Sequence, residues 1–482
     1  MPLDRIALPG RDKQATSHHA RVMIGKGKNG DAGVKSSQKI LNTNLCLGRQ
    51  IRFQSLARLS FCAFRTVSSC RRRHFVTYRA LLTILPLLFS LTSFGSDHID
   101  LVGGPQQKEV FPHAELTDLY SWVSEDGKLL LGLNTFSHPA NTNPAPAFDG
   151  SVEYQFELRK VKLKEPTQIL VTPAQGDVAA TTRDSRIRVP VIQNGYSAAV
   201  VCRPEASKPN CVVSIDNMGG TTTKLPNKTF AGRRAESFCL DIVWGGIRMK
   251  GVIDPNVPAA KPYPIPDAVR IPIAEAAGFP PTRNLCNVFN VLNISLELNV
   301  EEIFGENTQL IAVAAEAYTF DNEVARQQRD RLGRPEITNM TIGLQEVSEN
   351  YNKASTFNLT KEQIENYGAL IRYGILGWDR QDGKNDWKHG GELHDILETL
   401  VVDALIIDTT KKCQFSEDSF LAVERGMGEH QSCGGRVPKE DIIDTLFSFY
   451  TVGVDAKNDT YGDGAGNLVR QPQDAWPFFA AP

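Results

Sequence analysis

Hydrophobic and polar positions alternate with a period of two over much of the chain before residue 320. Residues 152–159 and 292–300 alternate at every position, which is typical of strands with one buried face and one solvated face. Residues 119–123 and 128–136 flank a short turn at 124–127, a pattern that predicts a β-hairpin. Strands of a parallel sheet are apolar throughout, so this alternation favours an antiparallel sandwich.

The period becomes helical after about residue 321. Thr360 and Gln363 have the spacing of a capping box, which predicts that a helix begins there. Apolar residues between 393 and 405 fall on one helical stripe, and a third amphipathic helix is predicted after Pro438. The expected fold class is therefore α+β, mainly β, with a sandwich-like body at 96–325 and a helix-containing region at 326–482.

The net charge of −2 over 482 residues is a cancellation between two parts of the chain. Residues 1–79 contain 16 Lys plus Arg and 3 Asp plus Glu, a charge of +13, whereas residues 96–482 contain 37 and 52, a charge of −15. The composition, 41% hydrophobic and 22% charged, excludes collagen, coiled coil and full disorder. The acidic second part argues against nucleic acid or an anionic membrane surface as a partner.

A predicted signal peptide at 71–95 divides these two parts. Four arginines between positions 71 and 79 precede an uncharged apolar run at 80–94, and small residues at Ser93 and Gly95 suit cleavage after Gly95. The run is shorter than the ~20 residues of a membrane-spanning helix. We therefore expect an exported protein, periplasmic or extracellular, with no membrane span in its mature chain.

Residues 1–70 form a basic extension in front of the signal peptide. Their composition fits a transit peptide, a nucleic-acid-binding arm, or translated DNA upstream of the true start codon. We favour the last interpretation, because a start at Val76 would leave a short basic segment ahead of the apolar run. The extension is expected to be disordered or absent from the native protein.

Cleavage at Gly95 would leave six cysteines in an oxidising compartment, where disulfides are the usual outcome. Six cysteines allow 15 pairings, so the sequence does not determine the connectivity. Proximity in the chain suggests three pairs: Cys202 with Cys211, Cys239 with Cys286, and Cys413 with Cys433.

Several short motifs in chain order carry a resemblance to a known family. They are SDH at 96–98, LTDLYSW at 116–122, AGRR at 231–234, the strand at 290–300, GRP at 333–335, the segments 435–446 and 453–459, and WPFFAAP at 476–482. Together they make 96–482 similar to the exported bacterial family known as domain of unknown function 4331. Many relatives continue with Arg-Glu-Ala-Pro where this chain has Ile99-Asp100. The resemblance implies export and a β-rich fold, and it carries over no catalytic residue.

An acidic, glycine-containing segment near the C-terminus is the first candidate site. Ca²⁺ takes several oxygen ligands from a flexible loop, and Asp455, Asp459 and Asp463 could supply them. Counted from Asp459, the third and twelfth positions are Tyr461 and Arg470, so the segment is not an EF-hand. A solvated turn-rich loop is the alternative interpretation.

A second candidate is a group of histidines and aspartates near the predicted mature N-terminus. Asp97, His98, Asp100, His113 and Asp118 offer imidazole and carboxylate ligands for a transition metal. Their spacing matches no known metal motif, and Asp118 could equally hydrogen-bond to backbone.

Two further charged groups are expected to be structural. His389 and His394 flank the start of the second predicted helix, where a surface or capping role is favoured over a metal site. Arg233 and Arg234 beside Glu236 could bind an anion, but a surface ion-pair network is the preferred interpretation.

The sequence contains no recognisable catalytic motif: G-x-S-x-G, the P-loop, G-x-G-x-x-G after a strand and H-E-x-x-H are all absent. The leading hypothesis is an exported, soluble, disulfide-stabilised binding or accessory protein with a structural cation such as calcium. The partner, a ligand or another protein, is not determined. The alternatives are an extracytoplasmic metal-assisted hydrolase using the His98 group and a haem-binding redox accessory protein.

Overall fold

The computed structural model describes residues 111–482, except 172–180, 218–219, 239, 255, 257–263, 277–280, 322–324, 343–344, 389, 414–419, 426–429, 458–460 and 467. The described residues belong to one compact unit. The following predicted features lie outside them: the extension, the signal peptide, Asp97, His98, Asp100, Cys239, His389 and Asp459.

Fifteen strands occur in the described part of the chain: β1 Leu116–Val123, β2 Leu129–Pro139, β3 Phe148–Asp149, β4 Val152–Leu163, β5 Gln168–Val171, β6 Thr181–Asp184, β7 Pro190–Cys202, β8 Glu205–Ala206, β9 Cys211–Asn217, β10 Gly220–Lys224, β11 Lys228–Ala235, β12 Phe289–Leu298, β13 Leu310–Asp321, β14 Ala325–Leu332 and β15 Leu405–Asp408. They form a four-stranded sheet, β1-β2-β12-β11, and a seven-stranded sheet, β10-β9-β7-β4-β13-β14 with β15 also paired to β13. The remaining four strands form the two-stranded sheets β3-β8 and β5-β6. Every pairing between these strands is antiparallel, which confirms the predicted sheet type.

The predicted hairpin is present between β1 and β2. Val123 pairs with Leu129, and the turn contains Gly127 at a φ of +77°, a conformation that favours glycine. The alternation in β4 places Tyr154, Phe156 and Leu158 in the main hydrophobic core, as predicted. That core contains residues of both large sheets, as expected for a sandwich-like body. The prediction of a solvated opposite face is wrong, because Glu153 and Glu157 of β4 are also buried. In β12 the polar side chains of Asn293, Ser295 and Glu297 are buried as well.

Seven α-helices are described: α1 Ile242–Ile253, α2 Asp267–Ala276, α3 Val300–Phe304, α4 Gln345–Asn352, α5 Lys361–Asp379, α6 Gly390–Val402 and α7 Ile442–Val452. Five short 3₁₀ segments (Pro112–Ala114, Leu285–Val288, Arg380–Asp382, Asp386–Lys388, Gly453–Asp455) and one π-helical turn (Thr338–Ile342) accompany them. The predicted capping box is present at the start of α5, where Thr360 and Gln363 bond each other's backbone N–H groups. None of the described helices is long and apolar enough to cross a membrane.

The division into a β-rich body and a helical region is less sharp than predicted. Helices α1 and α2 lie inside the first part, and strands β14 and β15 lie in the second. The apolar stripe that predicts a helix up to residue 405 ends earlier, because α6 stops at Val402 and Leu405 begins β15. Leu405 pairs with Val313 of β13, so the short run after α6 completes a sheet instead of extending the helix.

Candidate functional site

A groove with a volume of about 770 Å³ lies between α5, α6 and one edge of the sandwich. Its apolar wall consists of Ile192, Phe357, Leu359, Ile364, Gly368, Ala369, Leu397, Val401 and Val402. Its polar groups are Lys164, Thr356, Glu365, Arg372, His394 and Glu398. Small-molecule sites usually have this size and this mixture of an apolar wall with a few polar groups.

Helix α5 is fixed by close packing along the face that points away from the groove. A methyl group on Gly374 would collide with the backbone of Thr341, and one on Gly377 would collide with Val252. Only glycine permits these close approaches. Gly368, on the groove side, is in van der Waals range of Val401 of α6, since a Cβ there would lie 3.5 Å from the Val401 methyl group.

The segment before α5 forms a second wall and is anchored on the seven-stranded sheet. The backbone N–H of Thr356 donates to the buried carboxylate of Glu316 on β13 at 3.0 Å. Gln328 of β14 donates to the carbonyl of Ala354 at 3.1 Å. The guanidinium of Arg159 lies 4.9 Å from the ring centre of Phe357. The wall is therefore held by contacts to three strands.

One end of the groove carries a charged group built on Glu398 of α6. The Lys164 ammonium lies 2.7 Å from the Glu398 carboxylate, and His394 Nδ1 lies 3.8 Å from it. Hydrogen bonding to Glu398 raises the pKa of Lys164. Asp395 is buried beside them and accepts a 2.8 Å hydrogen bond from the Thr167 hydroxyl. His394, Asp395 and Glu398 have metal-ligand spacing, but the Lys164 ammonium already supplies a cation to Glu398.

Arg372 contributes a further positive charge to the groove. Its side chain is exposed, and none of the carboxylates in the described ranges lies within 4 Å of its guanidinium. Sequence reasoning did not identify Arg372 or Lys164. The available signal was the exposed Ile364 on the same face of α5, because an amphipathic helix with an apolar residue on its outer face often borders a binding site.

The aspartates of the predicted calcium segment do not share one cluster. Asp455 forms an ion pair with Arg186, and Asp459 is outside the described residues. Asp463 is fully buried and groups with Asp441 and Asp444 at the start of α7, with carboxylate oxygens within 4.8 Å of one another.

Burial and the neighbouring carboxylates Asp441 and Asp444 raise the pKa of Asp463 well above its usual range. The backbone N–H of Asp241 donates to Asp463 at 2.6 Å, and burial raises the pKa of Asp241 itself to about 6. Arg283 lies 3.4 Å from the Asp241 carboxylate and hydrogen-bonds the Asp463 carbonyl oxygen. Arg270 lies 3.6 Å from the same Asp241 carboxylate, so two guanidinium groups border this cluster.

The described members of the predicted transition-metal group have separate partners. His113 lies 3.3 Å from Asp149 at the surface. Asp118 is buried and pairs with the buried Arg436 at 2.5 Å. The other members, Asp97, His98 and Asp100, are outside the described residues.

Glu236 does not belong to a surface ion-pair network with Arg233 and Arg234, so that expectation is wrong. It is 1% exposed, accepts hydrogen bonds from the backbone of Ser237 and Phe238, and also accepts one from Asn134. Burial and the carboxylate of Asp118 raise its pKa well above the usual range. Glu236 follows β11 directly and is buried, which the charge pattern Arg-Arg-Ala-Glu does not indicate.

His394 agrees with the preferred surface role in one respect, since its side chain is 68% exposed. It also borders the groove, which the sequence did not indicate.

Two disulfides join Cys202 to Cys211 and Cys413 to Cys433, the same pairs that proximity in the chain suggests. The first links the paired strands β7 and β9. Cys286 is buried, and its suggested partner Cys239 is outside the described residues.

No family model, curated protein or solved structure matches this chain.

Proposed function

We propose that this protein is an exported, disulfide-stabilised β-rich binding protein whose ligand occupies the groove between α5 and α6. The observation that carries the proposal is the groove itself, with a volume of about 770 Å³ and a mainly apolar wall. A surface cavity of this size exposes apolar side chains that a bound molecule would remove from water.

Export is part of the same proposal. The predicted signal peptide at 71–95 and two disulfides in the described part of the chain support an oxidising compartment, periplasmic or extracellular. Membership of the domain of unknown function 4331 family is also proposed, on the motifs quoted above.

A structural cation is the second part of the proposal, placed at Asp441, Asp444 and Asp463. The closeness of the three side chains supports it, because their carboxylate oxygens lie within 4.8 Å of one another and Ca²⁺ takes several such ligands. Asp455 and its ion pair with Arg186 are not included in this site.

The groove is tested with Nile red, a neutral apolar fluorophore whose emission rises in apolar surroundings. Ala369 lines the groove and is exposed, so Ala369→Trp fills the groove without altering the core. Ala140→Trp is the matched control, because Ala140 is exposed and outside the groove.

We expect saturable Nile red binding to the native protein and to Ala140→Trp, and its loss in Ala369→Trp at unchanged melting temperature. Equal binding by the two tryptophan variants would contradict the proposal.

A further inference from the structure

The polar and apolar groups of the groove are separated along its length. Helices α5 and α6 are joined by ten residues, and such short connections favour antiparallel neighbours. With Gly368 against Val401, the antiparallel arrangement places Arg372 beside Leu397 and toward His394 and Glu398. Arg372 and the charged group on α6 therefore share one end of the groove.

The opposite end is mostly apolar. Ile364 and Leu359 lie toward the start of α5, next to Val401 and Val402 at the end of α6. The one charged side chain lining the groove there, Glu365, has Lys361 at 3.7 Å on the same helix. Arg372 is about 10 Å further along α5, since seven residues at 1.5 Å each separate it from Glu365.

At the charged end the two cations Lys164 and Arg372 are matched in number by the carboxylates Glu398 and Asp395, but Asp395 is buried and Arg372 is exposed. Lys164 and Glu398 neutralise each other, whereas no carboxylate of the described residues pairs with Arg372. A guanidinium beside a low-dielectric apolar wall attracts an anion more strongly than one in open water.

We infer that the groove takes a monomeric amphipathic carboxylate, with its acid group at Arg372 and its hydrocarbon chain toward Ile364 and Val401. This inference rests on the proposed function, since it specifies the ligand class of the same groove. The favoured source is a free long-chain acid, because a groove between two helices accommodates one chain and not a membrane surface. Neutral and cationic amphiphiles are the competing occupants.

The test measures displacement of Nile red by three compounds with the same chain: dodecanoate, dodecanol and dodecylamine, each below its micelle-forming concentration. It uses the purified protein and the variants Arg372→Gln, Arg372→Lys and Lys353→Gln. Lys353, the residue after α4, is the matched control, since it is an exposed cation outside the groove.

For the native protein we expect dodecanoate to bind about tenfold more tightly than dodecanol, the effect of one charge pair near a protein surface. Dodecylamine should bind most weakly. Arg372→Gln should reduce the preference for dodecanoate to about twofold or less, Arg372→Lys should keep most of it, and Lys353→Gln should keep all of it.

Two results would overturn the inference and are distinguishable. If dodecanol or dodecylamine displaces Nile red as well as dodecanoate does, the ligand class is wrong while the groove remains a binding site. If Nile red does not bind, or binds Ala369→Trp as it binds the native protein, the proposed function fails and the ligand class fails with it.

Discussion

Two regions of this protein combine charged and apolar side chains in opposite ways. In the interior, Asp118, Glu236 and Arg436 are buried together with Asn134 and Asn293 of the four-stranded sheet. In the groove between α5 and α6, Lys164, Glu398 and Arg372 lie at the edge of an apolar wall that is open to solvent. The interior arginine, Arg436, has the carboxylate of Asp118 as a partner, whereas none of the described carboxylates pairs with Arg372 in the groove.

The difference concerns what each arginine can still bind. Arg436 donates to Asp118 and lies 4.3 Å from the ring centre of Tyr120, so its charge is used within the fold. Arg372 is exposed at the end of a groove that could hold a ligand. A buried, satisfied charge is evidence of structure, whereas an exposed charge beside an apolar groove is evidence of recognition.

The largest expected effect is a loss of stability when the positive charge of the buried Arg436 is removed. Arg436→Met should lower the free energy of unfolding by about 3–5 kcal/mol, because it leaves the buried carboxylate of Asp118 without its cationic partner. Urea unfolding followed by fluorescence measures the change. Arg372→Gln, the corresponding change in the groove, should alter stability by no more than about 0.5 kcal/mol. Similar losses in both variants would remove the distinction between the two regions.

Calcium should produce the next largest effect, at the cluster of Asp441, Asp444 and Asp463, in which Asp463 is buried and the other two are partly exposed. Binding at 100 times the dissociation constant would stabilise the protein by about 2.7 kcal/mol, seen as a rise in melting temperature. Asp444→Asn should abolish the rise, and Asp455→Asn should preserve it, because Asp455 pairs with Arg186. A rise that survives Asp444→Asn but not Asp455→Asn would return the cation to the segment that the sequence predicts.

The buried carboxyl of Glu236 predicts that the stability of the protein depends on pH. Its pKa in the folded protein is raised above the ordinary value of 4.5, so the folded state binds more protons than the unfolded state between these two values. Stability from this group is therefore complete below pH 4.5 and falls as pH rises toward the folded pKa, by at most about 1.4 kcal/mol per pH unit.

Glu236→Gln should remove this decline, since the amide stays neutral at every pH. Denaturant unfolding between pH 5 and pH 8 measures it. Ser295→Ala, a non-titrating change in the same hydrogen-bonded group, should shift the whole curve and leave its slope unchanged. If the unfolding free energy of Glu236→Gln varies with pH as steeply as that of the native protein, the Glu236 carboxyl is already ionised in the folded protein.

The smallest expected effect is a change in dodecanoate affinity, and it compares the two ends of the groove. Glu398→Gln removes the partner of Lys164 and should tighten dodecanoate binding about threefold, as expected for an exposed ion pair. Glu365→Gln removes a carboxylate at the apolar end of the groove, about 10 Å from Arg372 along α5, and should change dodecanoate binding less. Displacement titrations compare the two, and a larger effect of Glu365→Gln would place the acid group at the other end.

Local features of the fold were predictable where short-range physics decides them. The β1–β2 hairpin follows from strand alternation on both sides of a turn with glycine, and the start of α5 follows from the Thr360 capping box. Helices α1 and α2 were missed because α1 contains three glycines and α2 contains Pro272, and the segment between them, 255–266, is proline-rich. Leu405 was assigned to a helix because its apolar neighbours fit either period, and pairing with Val313 decided for a strand.

The candidate site shows more clearly that local sequence patterns do not predict contacts between residues distant in the chain. Lys164 and Glu398 are 234 residues apart in the chain and 2.7 Å apart in space, so no local pattern connects them. Asp463 was recognised as a possible ligand from its acidic surroundings, but its neighbours Asp441 and Asp444 come from the start of α7 and not from its own segment.

The sequence by itself determined the antiparallel β-rich class and the helices of the C-terminal region, because alternation and capping are local. Proximity in the chain suggested two cysteine pairs without determining the connectivity. Only the tertiary structure decided that Glu236 is buried, that Asp455 is separated from Asp463, and that Arg372 and Lys164 border one groove. These outcomes depend on the order of strands in the sheets and on where α5 and α6 pack, which join residues distant in the chain through burial and charge pairing.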